Sequence, residues 1–301
     1  MTMNRRNTEA DGGVGIGREA SYYIKKGGGA VECALCPRKC RIMPGCSGAC
    51  LARKNRGGTL YSINYGKISS LALDPIEKKP LHRFHPGGMI LSAGSFGCNF
   101  TCPFCQNHHI SGNIPETTVM TPQNLVDKAL SARARGNIGV AYTYNEPLVS
   151  YEFVLDAAGL ARREGLVNVL VTNGYIGLGP LAELLPYIDA MNIDLKGDEA
   201  FYRELCGGGR EAVLRAIETA RAAGCHIEIT TLLVSGRNDN IDAVEGIARQ
   251  VASLSDEIPL HLSRFFPRYK MADLLPTDID FIRDAVKTAR MYLKYVYAGN
   301  I

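Results

Sequence analysis

The 301-residue sequence predicts an α/β fold, a partial (β/α)6 TIM-like barrel with a small N-terminal Cys-rich module. From Gly88 onward one pattern repeats: a short apolar strand, a loop, then an amphipathic helix. Polar residues break the apolar strands at their C-terminal ends, where βα barrels gather functional groups. Between Cys33 and Cys50 lie five cysteines, two prolines and few apolar side chains, a stretch that cannot fold on a hydrophobic core of its own.

A chain of this length can bury a full core and is expected to form one main domain with an appendage. The net charge is +4, from 34 Lys plus Arg against 30 Asp plus Glu. No basic stripe interleaved with aromatics is present, so no nucleic-acid partner is expected. Ten cysteines raise the question of a disulfide framework. Eight of them, however, group in two metal-like clusters, and no apolar signal region opens the chain. A reducing cytoplasm is therefore the expected location. No apolar run reaches the length of a membrane span, so a soluble protein without a membrane partner is expected.

Residues 1–30 read as a flexible segment. Met1 to Ala20 is polar and Gly-rich, and Gly27-Gly28-Gly29 reads as a hinge. Gly13-Val14-Gly15-Ile16-Gly17 imitates a nucleotide-binding run, but no strand precedes it and no Lys-Ser/Thr follows. Residues 31–58 read as a metal-binding module. Cys33, Cys36, Cys40 and Cys50 are the expected ligands, while Cys46 sits in a Pro-Gly-x-Ser-Gly turn and reads as a bystander. Four thiolates suit zinc or a second iron-sulfur cluster, and spacing does not separate the two.

Residues 59–87 read as a hairpin and connector. Leu60-Ile63 and Ile68-Leu71 would pair across a turn at Tyr65-Gly66, and Asp74 to Leu81 would follow as a proline-stiffened link. Residues 88–301 form the barrel. Its strands are expected at Met89 to Gly94, Ile138 to Tyr144, Val167 to Thr172, Ala190 to Leu195, His226 to Val234 and Pro259 to Phe265. Helical periodicity runs over Asn124 to Arg135, Val149 to Glu164, Glu211 to Ala223 and Ile241 to Leu254. A helix from Asp278 to Leu293 and a strand at Tyr295 to Tyr297 end the chain.

The densest chemistry lies from Ser95 to Asn107. Cys98-x3-Cys102-x2-Cys105 supplies three thiolates from one loop, which matches three corners of a [4Fe-4S] cube and leaves the fourth iron open to a ligand. A zinc site remains open on spacing alone, with His108 or His109 offered as a fourth ligand. Gly94 and Gly97 let backbone approach a bulky cluster, although either also fits an ordinary turn. At later strand ends stand Asn145-Glu146, Thr172-Asn173, Asp194 and Lys196, then Thr230, Thr231 and Arg264. Each has a plainer reading. Glu146 could open a helix before Pro147, Thr172 and Asn173 could form a turn before Gly174, and Asp194 and Lys196 could pair with neighbours. Placed together at successive strand ends, they ask for a polar ligand.

The Cys-x3-Cys-x-aromatic-Cys pattern, with Phe104 at the aromatic position, resembles the signature of the radical S-adenosylmethionine (radical SAM) superfamily. Ala141-Tyr142-Thr143-Tyr144-Asn145-Glu146-Pro147, Val171-Thr172-Asn173-Gly174-Tyr175, Asn192-Ile193-Asp194-Leu195-Lys196-Gly197, the N-terminal Cys-x-Leu-Cys-Pro-Arg-x-Cys and Pro75-Ile76-Glu77-Lys78-Lys79-Pro80-Leu81 extend the likeness. Together they resemble the radical SAM proteins of the AmmeMemoRadiSam system, which are similar to glycyl-radical-enzyme (pyruvate formate-lyase) activating enzymes. Members of that group often run on past Asn300 into a tail with another cysteine pair, whereas this sequence ends at Ile301.

The resemblance implies that Cys98, Cys102 and Cys105 ligate a [4Fe-4S] cluster whose fourth iron is chelated by SAM. Asn145 and Glu146 stand where relatives carry Gly-Gly-Glu, which accepts from the SAM amino group. Thr172 and Asn173 would lie near the ribose, although Val171 replaces an acidic residue of the usual motif. Asp194 and Lys196 match an Asp-Leu-Lys motif whose ammonium would meet the SAM carboxylate. The implied reaction is one-electron cleavage of SAM to a 5′-deoxyadenosyl radical that abstracts hydrogen from a substrate. It implies an external flavodoxin- or ferredoxin-like reductant and admits a protein or peptide substrate. An activating enzyme acting on a partner protein and a non-catalytic iron-sulfur or zinc protein are the competing readings.

Overall fold

The structure, a computed structural model, describes residues 17–301, so most of the glycine run at residues 13–17 and the start of the polar N-terminal segment lie outside the described residues. Its centre is one eight-stranded sheet: β1 (Ser70–Pro75), β2 (Met89–Gly94), β3 (Asn137–Tyr142), β4 (Val167–Thr172), β5 (Ala190–Asp194), β6 (His226–Leu233), β7 (Leu260–Arg264) and β8 (Val296–Gly299). The strands lie side by side in sequence order. β2 to β8 are parallel, and β1 pairs antiparallel with β2 from Ser70↔Gly94 to Pro75↔Met89. This is the expected α/β partial barrel, with one more parallel strand in its sheet and an antiparallel edge.

The helices α1 (Pro122–Ser131), α2 (Tyr151–Arg163), α3 (Leu178–Leu184), α4 (Arg210–Ala222), α5 (Ile241–Leu254) and α6 (Ile279–Ala289) connect the strands. Local chemistry sets several of their starts. Thr121 Oγ1 accepts from Asn124 N at 3.1 Å ahead of Pro122, and Asn240 Oδ1 accepts from Ala243 N at 2.9 Å. α2 turns Phe153, Val154, Ala157, Ala158 and Ala161 inward, the spacing of one helix face. Among the described residues no helix is long and apolar enough to cross a membrane.

Apolar packing also fills the barrel interior, where Ile90, Ala141, Val169 and Ala190 meet Ile76 and Leu81 of the segment after β1. Beside them, near the N-terminal ends of β6 and β7, the fully buried Glu228 gathers four donors. The backbone N–H groups of His82 and Arg83 reach it at 3.0 and 2.7 Å, His226 Nε2 at 3.0 Å and His261 Nε2 at 2.6 Å. Segment 80–85 thus plugs the end of the barrel opposite the loops that carry the cysteines.

Three sequence expectations are corrected. The segment 17–30, read as flexible, carries strands at Arg18–Glu19 and Tyr23–Lys25, the latter paired with Val31–Cys33. Tyr22 anchors it, packing edge-on to Tyr151 at 5.5 Å and donating its phenol to Glu183 at 2.5 Å. The hairpin across Tyr65-Gly66 does not form. Thr59–Ser62 pairs instead with Arg53–Arg56 across Gly57-Gly58, both at positive φ, because a two-residue Gly-Gly link fits a hairpin turn best. The supposed connector begins as sheet edge, since β1 runs through Asp74 to Pro75 before a short 3-10 turn at Ile76–Lys78. α3 had no counterpart in the sequence reading, because Gly179 and Pro180 in its first turn look like a loop.

Candidate functional site

β2 delivers the chain into the loop Ser95 to Asn107, and side chains from the next strand ends fasten it. Asn145 accepts from Ser95 N at 2.9 Å and donates to Gly97 O at 3.0 Å. Asn107 donates to Tyr144 O at 2.8 Å. Gly97, at φ +92°, lies so close to the N-terminal module that a Cβ there would stand 2.3 Å from Cys50 O. No other residue fits that approach.

Cys98, Cys102 and Cys105 are partly buried and lie close enough to influence one another's charge. Burial, then the Glu146 carboxylate, push the Cys98 thiol well up, and burial also raises Cys105. Cys102 moves the other way, lowered by a hydrogen bond with the Cys206 thiol and by the Lys196 ammonium. Cys98 Sγ is approached by Phe100 N at 3.4 Å and Asn173 Nδ2 at 3.6 Å. N–H groups aimed at sulfur suit a thiolate better than a thiol. Phe104 is buried against the Phe201 ring at 5.7 Å.

Glu146 ties two strand ends together. One carboxylate oxygen accepts from Thr172 Oγ1 at 2.7 Å and Leu148 N at 3.0 Å, the other from Asn173 N at 2.8 Å. Burial nevertheless pushes its carboxyl up to about 7. Asn173 also donates to Asn99 Oδ1 at 2.9 Å, which leads back into the cysteine loop. Asp194 and Lys196 form an ion pair at 2.6 Å. Burial opposes the charge on Lys196, but Asp194 and the Cys102 and Cys206 thiols outweigh it and hold the ammonium well above its ordinary range.

The structure therefore brings Cys98, Cys102, Cys105, Glu146, Thr172, Asn173, Asp194 and Lys196 to neighbouring strand ends. Asn145 and Asn173 commit most of their polar atoms to protein, so they position the loop. Elsewhere, Thr230 Oγ1 donates to Asn192 Oδ1 at 2.9 Å inside the sheet, and Arg264 Nε to Thr277 O at 2.7 Å. Cys33, Cys36, Cys40 and Cys50 line one cavity beside Asn99, and Cys46 is exposed outside it. Among the described residues, no three His, Cys, Asp or Glu stand close enough to share a single metal ion.

Sequence reasoning missed several members. Cys206, which lies outside both cysteine clusters in the sequence, meets Cys102. Tyr144 holds φ +71°, strained for a non-glycine residue, and its phenol donates to Asp74 Oδ2 at 2.9 Å, an oxygen shared with Lys79 Nζ at 2.8 Å. Lys79 is buried, and the one available signal was its place in the Pro-Ile-Glu-Lys-Lys-Pro motif. Arg38 donates to Asn99 O and Gly207 O, both at 2.6 Å, and its signal was the Cys-Pro-Arg motif.

The Radical SAM superfamily matches residues 94–251, the segment that carries all of these strand ends up to Lys196. A protein of Methanocaldococcus jannaschii named "Uncharacterized protein MJ0808" is 45% identical over 289 residues, covering 94% of this chain and 85% of its own. The chain belongs to the radical SAM superfamily. This radical SAM chain is also similar to the pyruvate formate-lyase-activating enzyme of Clostridium pasteurianum, 24% identical over 52% of this chain and 67% of that protein. Among solved structures, a radical SAM methyltransferase from Sphaerobacter thermophilus shares the fold with a TM-score of 0.58 at 17% identity, over 71% of this chain and 67% of that one. Members of the superfamily are enzymes, and the family implies a [4Fe-4S] cluster and SAM. The donor set fits them: three thiols in one loop, N–H groups on Cys98, a buried carboxylate and a buried ammonium.

Proposed function

We propose that this protein is a radical SAM enzyme of the AmmeMemoRadiSam type, acting on a substrate presented at the C-terminal ends of the barrel strands. The observation that carries the reading is the convergence of the Cys98-Cys102-Cys105 loop with buried Glu146 and the Lys196–Asp194 pair. Cys98, Cys102 and Cys105 would hold the [4Fe-4S] cluster. Glu146 offers carboxylate oxygens to the SAM ammonium, Lys196 offers a cation to the SAM carboxylate, and Thr172 and Asn173 orient Glu146. When bound, cluster and SAM together supply reductive cleavage to a 5′-deoxyadenosyl radical that abstracts hydrogen from the substrate. The chain itself binds, orients and shields. Phe104 and the Asn145 and Asn107 bonds fix the loop, and the plug around Glu228 closes the far end of the barrel to water. A flavodoxin- or ferredoxin-like one-electron reductant is the proposed electron source, and the cytoplasm the proposed location. Cys33, Cys36, Cys40 and Cys50 are proposed as a second metal site.

Similarity to activating enzymes, including the isethionate sulfite-lyase activating enzyme of Nitratidesulfovibrio vulgaris at 26% identity over 50% of this chain, supports a protein or peptide substrate as a second reading. Anaerobic protein reconstituted with iron and sulfide, reduced with dithionite and given SAM should release 5′-deoxyadenosine. A Cys102→Ala variant should release none. A cluster-loaded protein that does not bind SAM would overturn the reading.

A further inference from the structure

Cys33, Cys36, Cys40 and Cys50 line a cavity of about 20 Å³ together with Arg53 and Asn99. That is room for a water-sized sphere and slightly more. The four thiols share its wall. Four cysteines are the full ligand set of an iron-sulfur cube, and with all four corners held by protein no iron is open to substrate. Such a cluster moves electrons.

The surroundings suit that occupant. Arg53 is almost fully buried on the cavity wall, and although its Nη atoms reach Ser21 O and Glu152, its Nε has no partner in the protein. A buried N–H without an acceptor is costly, and a thiolate or sulfide would satisfy it. The guanidinium charge would also offset the negative charge of a thiolate-ligated cluster.

Asn99 belongs at once to this cavity and to the Cys98–Cys105 loop. Its side chain stands on the cavity wall with Cys36, its Nδ2 donates to Tyr175 O at 2.7 Å, and its Oδ1 accepts at 2.9 Å from Asn173 Nδ2, which lies 3.6 Å from Cys98 Sγ. On the same boundary Gly97 is pressed against Cys50 O. One residue thus separates the two cysteine sets.

We propose that Cys33, Cys36, Cys40 and Cys50 hold a second, fully ligated iron-sulfur cluster that relays electrons across Asn99 to the cluster at Cys98, Cys102 and Cys105. The relay rests on the radical SAM reading above. One electron enters the second cluster from the external one-electron reductant and passes to the first, and the second returns to its oxidised state with no bond made or broken.

The test uses full-length protein prepared anaerobically, with iron and zinc counted and electron paramagnetic resonance recorded after dithionite reduction. Roughly eight irons per chain are expected, falling to roughly four in Cys102→Ala and in Cys36→Ala. The wild-type spectrum should show spin interaction between two reduced clusters, and each variant a simpler signal. Cys102→Ala leaves the N-terminal cysteines intact, so it isolates the second signal even if Cys36→Ala does not fold. Asn99→Ala should keep both clusters and slow reduction of the first, followed by freeze-quench spectroscopy with reduced flavodoxin as donor. Zinc retained in Cys102→Ala would overturn the proposal, as would two clusters without spin interaction or an unchanged reduction rate in Asn99→Ala. Coupled clusters in a protein that does not cleave SAM would count against the radical SAM reading while leaving the wiring in place.

Discussion

Glu146 shows how one residue can carry two tasks. Its three hydrogen bonds join the ends of β3 and β4, and burial still lifts its carboxyl to about 7. Only the ionised form attracts an ammonium group, so cation binding must release a proton whenever the pH lies below that value. SAM affinity of the cluster-loaded protein should therefore fall as pH drops through about 7, approaching tenfold per pH unit on the acid side. Titration calorimetry in buffers of different ionisation enthalpy would count the proton. Glu146→Gln should weaken binding at pH about 8 and flatten the profile, since the amide neither titrates nor carries charge. An unchanged profile in that variant would place the proton on another group. Cys102 sits in the opposite regime, lowered by Cys206 and Lys196. Replacing Lys196 with Met should therefore lower both SAM affinity and the ease of loading iron, read as iron per chain after a fixed reconstitution time.

At the scale of elements, the plug of segment 80–85 stands or falls with Glu228. Its burial opposes ionisation, yet two histidines and two backbone N–H groups outweigh it and hold the carboxyl at about 2, below its usual value. A depressed carboxylate stabilises the fold above its unfolded value, and that contribution is lost as pH falls from about 4.5 toward 2. Urea unfolding across that range should show the loss in wild type and a shallower slope in Glu228→Gln. At neutral pH the variant should be less stable by about 3 kcal/mol, because His82, Arg83, His226 and His261 lose a charged acceptor. None of this was legible in the sequence, where Glu228 is one charge inside an apolar strand and its partners lie far along the chain. The strands β2 and β4 and helix α5 were legible to the residue, since periodicity and flanking turns are local. The mispaired hairpin shows the limit: alternation near Tyr61 and Leu71 marks strands but not their partners, which Gly57-Gly58 decides in one case and the open edge of β2 in the other. The candidate site was legible where a motif gathers its residues in one loop, as at Cys98, Cys102 and Cys105. It was hidden where a side chain acts by reaching across the fold, as Asn99, Arg38, Lys79 and Cys206 do.

At the scale of the molecule, the N-terminal module and the barrel are joined through buried charge as well as apolar contact. Arg53, one of the largest fully buried side chains, leaves the module to pair with Glu152 at the start of α2, and the same carboxylate accepts from Ser21 N at 2.8 Å. Beside it Asn64, in the segment that follows the module, donates to Ser150 Oγ and to Phe96 O and so grips the approach to the cysteine loop. A buried pair of this kind adds little over an apolar equivalent, but removing one partner strands the other at a cost of about 3–5 kcal/mol. Glu152→Ala should therefore do more than loosen a contact. With Arg53 uncompensated beside Cys33 and Cys50, the module should undock, metal at Cys33 to Cys50 should be lost, and Gly97 should lose the Cys50 backbone against which it is packed. Calorimetry of the loaded protein should show a single transition lowered by several degrees, with both metal sites released together, as expected if module and barrel fold as one unit. Two separated transitions, with the barrel melting at its original temperature and retaining iron at Cys98, Cys102 and Cys105, would show instead that the module is an appendage whose loss the catalytic loop tolerates, and the shared wall at Asn99 would then have no part in holding that loop.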